Sequence, residues 1–192
     1  RKEAVHEIGN MLEFRQRVWA VGRQINDYTF DRSLLYKWLE ENPFIYKKYS
    51  YTLLRWILPA ITLSIGVLAF INVSYFSLFM MMVIVQLTIA GFHSKRITAF
   101  QNLLSAAGEE MKNYARLFEL LSKEKVSSEL LKHHHALATQ AFEKVHHLAS
   151  LVNALEARMN ALAMQFGNGL FLYDFHAVSK LEKWREENAK DL

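Results

Sequence analysis

The sequence predicts an all-α fold: a long-helix bundle with an apolar helical hairpin and a heptad-patterned lever helix. Turn formers are scarce, because the 192 residues include only seven Gly and two Pro, and this favours few, long elements. Apolar residues recur at three- and four-residue steps on both sides of the chain's centre, as they do in amphipathic helices. No Asp, Glu, Lys or Arg lies between Arg55 and Lys95, and this uncharged centre predicts the hairpin.

The first 41 residues are predicted to be helical, since apolar residues from position 5 to position 25 follow helical spacing with charges between them. Asp31 or Ser33 is expected to cap a second, short helix over residues 34–40. Asn42-Pro43 should end that helix, because the residue before a proline is displaced from the α region.

Two apolar runs follow, residues 56–71 and 75–92, separated by Asn72-Val73-Ser74. At about 1.5 Å per residue each run spans roughly 25 Å, slightly short of the ~30 Å hydrocarbon core of a bilayer. Neither run has the polar stripe of a surface helix. Basic residues flank the pair at both ends: Lys47, Lys48, Arg55, Lys95 and Arg96. The positive-inside rule then places both hairpin ends on the cytoplasmic side of the membrane.

The sequence also allows a second interpretation of the hairpin. The two apolar helices could be buried in the core of a soluble protein, or covered when two copies dimerise. The length of the runs and their paired basic flanks favour the membrane, so we expect membrane contact through residues 56–92.

The remaining part, from Ile97, returns to amphipathic helix, with a break predicted at residues 123–128 and Ser127 or Ser128 as the next helix cap. The helix after that break has a heptad seam, which requires a partner helix; we therefore expect a homodimer or packing against another helix. Lys144, Glu156 and Arg158 are expected to be exposed. The seam residues alternate four- and three-residue steps: Ala141, Val145, Leu148, Val152, Leu155, Met159, Leu162 and Phe166.

Gly167-Asn168-Gly169 is predicted to interrupt the seam helix, and a last helix should run from residue 170 to about 188. The chain thus divides into N-terminal core helices (1–50), the candidate transmembrane hairpin (51–96) and a lever or core segment (97–192). It begins at Arg1 and stops within a charged helical pattern, so we expect an internal piece of a longer protein.

No catalytic, cofactor or metal site is predicted within the chain. Cys is absent, which excludes thiolate ligands and a Cys nucleophile. His133, His134 and His135 are consecutive, and neighbouring helical residues point about 100° apart, so three in a row do not converge on one ion. Asp174 and His176 lie two apart, on different sides of a helix. No glycine-rich phosphate loop occurs, and the alternating charges of residues 182–186 indicate a solvated face.

Two stretches carry a resemblance to a known family. They are Asn168-Gly169-Leu170-Phe171-Leu172-Tyr173-Asp174-Phe175-His176 and Leu181-Glu182-Lys183-Trp184-Arg185. They resemble the helical core of the MutS-type DNA mismatch-repair ATPases, in the bacterial MutS-related branch with an inserted apolar hairpin. The opening residues, Arg1-Lys2-Glu3-Ala4-Val5 to Leu12-Glu13-Phe14-Arg15, resemble the start of the same region, and the order of the segments agrees.

The resemblance implies a helical core or lever that couples a downstream ATPase domain to DNA or membrane engagement. ATP and Mg would bind in that downstream domain, and DNA would be contacted through the longer protein; no phosphate-binding residue of the family falls within this chain. Its mismatch-reading Phe-x-Glu motif does not occur here either. The alternative function is a membrane-anchored helical scaffold or oligomerisation module with no nucleic-acid role.

Overall fold

The computed structural model describes residues 1–25, 36, 38–156, 158 and 160–189. The predicted all-α class is confirmed, because these residues form helices and no strand. Asp31 and Ser33, expected to cap a short helix, lie outside the described residues. The helices are α1 (Lys2–Asn10), α2 (Leu12–Ile25), α3 (Tyr49–Ile71), α4 (Phe76–Lys123), α5 (Glu129–Glu156), α6 (Ala161–Phe171) and α7 (Tyr173–Asn188).

The chain forms two compact units, and each consists of two separated stretches. The first unit contains residues 1–35 and 105–150, and the second contains residues 36–104 and 151–192. The expected division into three consecutive segments stays a prediction.

In the first unit, α5 begins where the sequence predicted, directly after Ser128. An acidic side chain from another helix binds this N-terminus. The Glu7 carboxylate of α1 accepts hydrogen bonds from the Ser127 and Ser128 backbone N–H groups and from the Ser127 hydroxyl. An acid at a helix N-terminus binds the N–H groups that have no helical acceptor. These bonds lower the pKa of Glu7 to about 2.

In the second unit, the hairpin helices are longer than the apolar runs suggested. α3 begins at Tyr49 rather than at Trp56 and has 23 residues, so it spans roughly 34 Å at about 1.5 Å per residue. A 3₁₀ turn over Val73–Tyr75 connects it to α4, and Asn72 Oδ1 caps this turn by accepting the Ser74 N–H at 2.9 Å. Either helix is long and apolar enough to cross a membrane.

The hairpin helices contact each other through small and polar residues. Gly66 lies so close to α4 that an added Cβ would stand 3.0 Å from the Phe79 ring. The Gln86 amide donates to the Thr62 hydroxyl, and both residues are fully buried. Close packing at glycine and interhelical hydrogen bonds are typical of helix pairs in membranes.

The continuous seam helix predicted through Phe166 is wrong. α5 ends at Glu156 and α6 begins at Ala161, because Asn160 accepts the N–H groups of Leu162 and Ala163 and so caps a new helix. The seam divides accordingly. Leu148, Val152 and Leu155 are buried, Ala141 and Val145 are half-buried, Leu162 and Phe166 are exposed, and Met159 lies outside the described residues.

The Gly167-Asn168-Gly169 stretch does not interrupt a helix, contrary to the prediction, but lies inside α6. The break falls at Leu172, which adopts φ 48° and ψ 46° and separates α6 from α7. Left-handed backbone is uncommon for a residue with a side chain, and Leu172 is fully buried. Gly169 instead allows α6 to pack closely against Val83 and Leu87 of α4.

Candidate functional site

The sequence indicated no site, whereas the structure buries a set of polar and charged residues where α6 and α7 meet the hairpin. We call this set the polar base and define it as Arg158, Asn168, Asp174, Glu182 and Arg185, each at most 6% exposed. Buried charges are rare in proteins unless they are paired or hydrogen-bonded. The partners of each member therefore show what the base does.

Glu182 of α7 binds the turn that precedes α3. Its carboxylate accepts the backbone N–H groups of Phe44, Ile45 and Tyr46, at 2.7, 3.0 and 2.8 Å. Successive N–H groups in a turn form a concave site for an anion, and hydrogen bonds to an ionised group are stronger than neutral ones. The predicted solvated face is therefore wrong at this residue, which is 1% exposed.

Arg185 lies one turn further along α7 and holds the segment before Pro43. Its guanidinium donates to the Trp38 carbonyl at 2.8 Å and lies 5.4 Å from the centre of the Trp38 ring. Burial lowers the pKa of Arg185. Lys183 and Glu186, between and beyond these two residues, are exposed as predicted. Only one side of the charged stretch faces water.

Arg158 forms a buried ion pair with Asp174, and the expectation that Arg158 is exposed is wrong. The Arg158 Nε lies 3.0 Å from Asp174 Oδ2, and the two side chains are 4% and 0% exposed. The Arg158 guanidinium also donates to the hydroxyls of Ser94 and Thr98 on α4. The pair thereby joins the chain before α6 and the start of α7 to the hairpin.

Asn168 completes this contact, because its Oδ1 accepts the Asp174 backbone N–H at 2.9 Å. That N–H lies in the first turn of α7 and has no acceptor within the helix. Burial raises the pKa of Asp174, and the Arg158 guanidinium opposes the rise. A single uncompensated charge here would be costly, whereas the pair is compatible with burial.

His176 has a different partner from Asp174. Pro59 has no N–H, so the Arg55 carbonyl, four residues earlier in α3, has no donor within the helix. The His176 Nε2 lies 3.0 Å from this carbonyl oxygen, a position in which the ring nitrogen donates. Burial lowers the pKa of His176, which favours the neutral ring.

Aromatic rings surround these contacts at the open end of the hairpin. The Arg96 guanidinium lies 4.1 Å from the centre of the Phe44 ring, a cation–π contact. Tyr51, His93 and Phe175 form a cluster with ring centres 5.2–5.8 Å apart. Phe44 is buried in this unit.

The three consecutive histidines belong to the first unit. His133 and His134 are exposed, and His135 contacts the Ser122 carbonyl through Nε2 at 2.7 Å. Within the described ranges, no three His, Asp or Glu residues stand close enough to share a metal ion.

Comparison of the chain with protein-family models, curated proteins and solved structures finds no match. The resemblance to MutS-type ATPases therefore stays a prediction from the two sequence stretches.

The polar base could have been detected only in part from the sequence. The Asn42-Pro43 turn signal marks backbone N–H groups that need an acceptor, and Pro59 marks a carbonyl that needs a donor. Nothing in the sequence pairs these groups with Glu182 and His176, which lie more than 110 residues away.

Proposed function

We propose that this chain is a membrane-anchored helical connector: α3 and α4 enter a lipid bilayer, and the polar base fixes α7 to their open end. One observation supports it above the others. In the most apolar stretch of each helix only 11% of the residues are buried within the chain. A core helix of a soluble protein would be mostly buried, so the hairpin needs an apolar environment outside the chain.

The breadth of the exposed surface favours lipid over a protein partner. On α3, the exposed apolar residues include Trp56, Ile57, Val67, Leu68 and Phe70. At about 100° per residue they spread over about half of the helix circumference, whereas a partner helix would cover a narrower stripe. Homodimerisation through the hairpin remains the competing explanation, and the experiment below separates the two.

We further propose that the connector belongs to a MutS-like ATPase, as the resemblance implies, and transmits nucleotide state from a downstream domain to the anchored end. What supports this is the placement of the resembling residues. Asp174 is buried against Arg158, which binds α4, and Asn168 binds the Asp174 N–H. Glu182 and Arg185 are buried against residues 38–46, directly before α3, and Trp184 is buried as well. A lever must be fixed at its anchored end, and these residues fix it.

Membrane association is tested by expressing the chain in bacteria and separating membranes from the soluble fraction. The chain should sediment with membranes, resist extraction by high salt and by carbonate, and be released by detergent, because apolar insertion is not electrostatic. A chain that stays soluble without detergent as a dimer would support burial by dimerisation and contradict the proposal.

The ATPase part is tested in the longer protein that the resemblance implies. Glu182→Gln should leave ATP binding unchanged and weaken the dependence of DNA or membrane engagement on bound nucleotide, since it loosens only the anchored end. Lys183→Gln, at an exposed neighbouring position, is the matched control and should change neither. A longer protein with no ATP binding would favour the scaffold without a nucleic-acid role.

A further inference from the structure

α6 presents an exposed apolar face in addition to that of the hairpin, and this helix is shorter than a membrane span. α6 has 11 residues, roughly 16 Å at about 1.5 Å per residue, too short to cross a ~30 Å core. No Asp, Glu, Lys or Arg occurs between Asn160 and Tyr173. Leu162 is nonetheless 65% exposed and Phe166 66% exposed.

The position of α6 relative to the hairpin follows from Gly169. A Cβ added to this glycine would stand 3.1 Å from Val83 Cγ1 and 3.6 Å from the Leu87 side chain. Val83 and Leu87 lie within the uncharged part of α4, six to ten residues before His93. The α6 end at Gly169 therefore lies beside hairpin positions that are in lipid under the proposed function.

Leu162 and Phe166 lie on the same stripe of α6 as Gly169, at four- and three-residue spacing. Gly169 contacts the hairpin, whereas the Leu162 and Phe166 side chains stay largely exposed. Because the three residues lie on one stripe, the exposed apolar surface of α6 begins about one helical turn from the contact at Gly169. If this stripe faced water, the Leu162 and Phe166 side chains would expose apolar surface directly beside a hairpin that is in lipid under the proposed function.

We propose that α6 is a third lipid-contacting helix, which dips into one leaflet beside the hairpin and does not cross the bilayer. Short apolar segments of this kind are tolerated at membrane depth where the non-helical backbone between them is protected by protein. Leu172, the non-helical residue after α6, is fully buried and meets that condition. The inference rests on the proposed membrane insertion of α3 and α4.

The test uses site-specific fluorescence, for which a chain without Cys is well suited. Phe166→Cys and, separately, Leu162→Cys are labelled with an environment-sensitive dye in the full chain, reconstituted in phosphatidylcholine–phosphatidylglycerol vesicles. Phe70→Cys on α3 (94% exposed) and Val5→Cys on α1 (71% exposed) are the reference positions. Quenching is measured with nitroxide lipids and with aqueous iodide.

The labels at 166 and 162 should show blue-shifted emission, quenching by nitroxide lipid and loss of iodide quenching, as at position 70 and unlike position 5. Iodide quenching at 166 and 162 with lipid quenching at 70 would overturn the α6 inference and leave the membrane hairpin intact. Protection from both quenchers would mean that a second copy of the chain covers Leu162 and Phe166, and this result would also overturn the α6 inference. Iodide quenching at 70 as well would contradict the proposed function itself.

Discussion

The two ends of the apolar hairpin differ in how much of their surface other residues of the chain cover. At the open end, Glu182, Arg158 and His176 satisfy backbone and side-chain groups of the hairpin and its preceding turn. At the turn end, Phe70 is 94% exposed, Ile71 76% and Val73 82%, and the structure places no other element against them within the described residues.

This difference shows that one hairpin combines two kinds of stabilisation. The open end is built like the core of a water-soluble protein, in which buried polar groups find partners. The turn end lacks such packing, and its apolar surface would be unfavourable in water. The boundary between the two environments should therefore lie near the Tyr51–His93–Phe175 cluster.

The largest effect is expected from placing charges on the exposed apolar surface of the hairpin. Leu68→Arg and Ile84→Arg together should shift the chain out of the membrane fraction, since each central charge costs about 2.5–3.5 kcal/mol on insertion scales. Ile84 is chosen because its side chain is 62% exposed, whereas the neighbouring Val83 packs against Gly169. Fractionation of the expressed chain measures the shift.

Val5→Arg is the matched control, as it introduces the same charge at an exposed apolar residue outside the hairpin. It should leave the distribution between fractions unchanged. Equal displacement by Val5→Arg and by the hairpin pair would mean that general loss of solubility or folding, rather than the cost of inserting charge, governs fractionation.

The next largest effect concerns the buried ion pair of the polar base. Arg158→Met should lower the free energy of unfolding by about 3–5 kcal/mol, because it leaves the Asp174 carboxylate buried without its cation. Adding Asp174→Asn to that variant should recover much of the loss. Chemical unfolding in detergent micelles measures both variants; a double variant less stable than Arg158→Met would contradict the pairing.

The two halves of the seam should differ in their response to truncation. Leu155→Ala should cost about 2–5 kcal/mol, since Leu155 is fully buried. Leu162→Ala, two steps along the same predicted seam but exposed, should stay within about ±0.5 kcal/mol. Similar losses at both positions would contradict the division of the seam between α5 and α6.

A smaller effect is expected at the hydrogen bond that compensates for Pro59. His176→Phe should cost about 1–3 kcal/mol, because the Arg55 carbonyl loses its donor while the ring volume is kept. In a Pro59→Ala background an N–H is again present in α3, so the same substitution should cost less. A double-mutant cycle in micelles measures this coupling, and additive effects would show that the carbonyl is satisfied in another way.

The smallest effect concerns the Glu7 contact in the first unit. Its pKa is lowered from 4.5 to about 2, so the contact stabilises the folded state above pH 4.5 and is lost as pH falls towards about 2. Glu7→Gln should therefore lower the melting temperature at neutral pH, and the difference from wild type should shrink as pH falls through that window. Glu3→Gln, on the same helix, is the control.

The sequence was sufficient for the features that depend on pattern. Helical class, the position of the hairpin and the break before Glu129 all follow from local periodicity, uncharged length and turn formers. Local signals also explain an error: the heptad pattern continues through Leu162, yet the Asn160 cap ends the helix before it. A capping residue inside a regular heptad pattern therefore marks the end of a helix.

The polar base depends instead on contacts between distant residues, and local patterns do not specify these. Glu182 and Arg185 occur in an alternating charged stretch that is typical of a solvated face. Glu182 is buried because the backbone N–H groups of residues 44–46 need an acceptor, and Arg185 is buried against the Trp38 carbonyl. The same holds for Arg158, whose partners on α4 are about 60 residues away.

Accessibility of the hairpin turn tests most directly whether α3 and α4 cross a bilayer with both open ends on the cytoplasmic side. Ser74→Cys places one thiol in the exposed turn, and Val5→Cys places one on α1 of a chain that has none. In intact bacterial spheroplasts, a membrane-impermeant maleimide should label Cys at position 74 but label position 5 only after lysis. Labelling of both positions only after lysis would contradict a crossing hairpin.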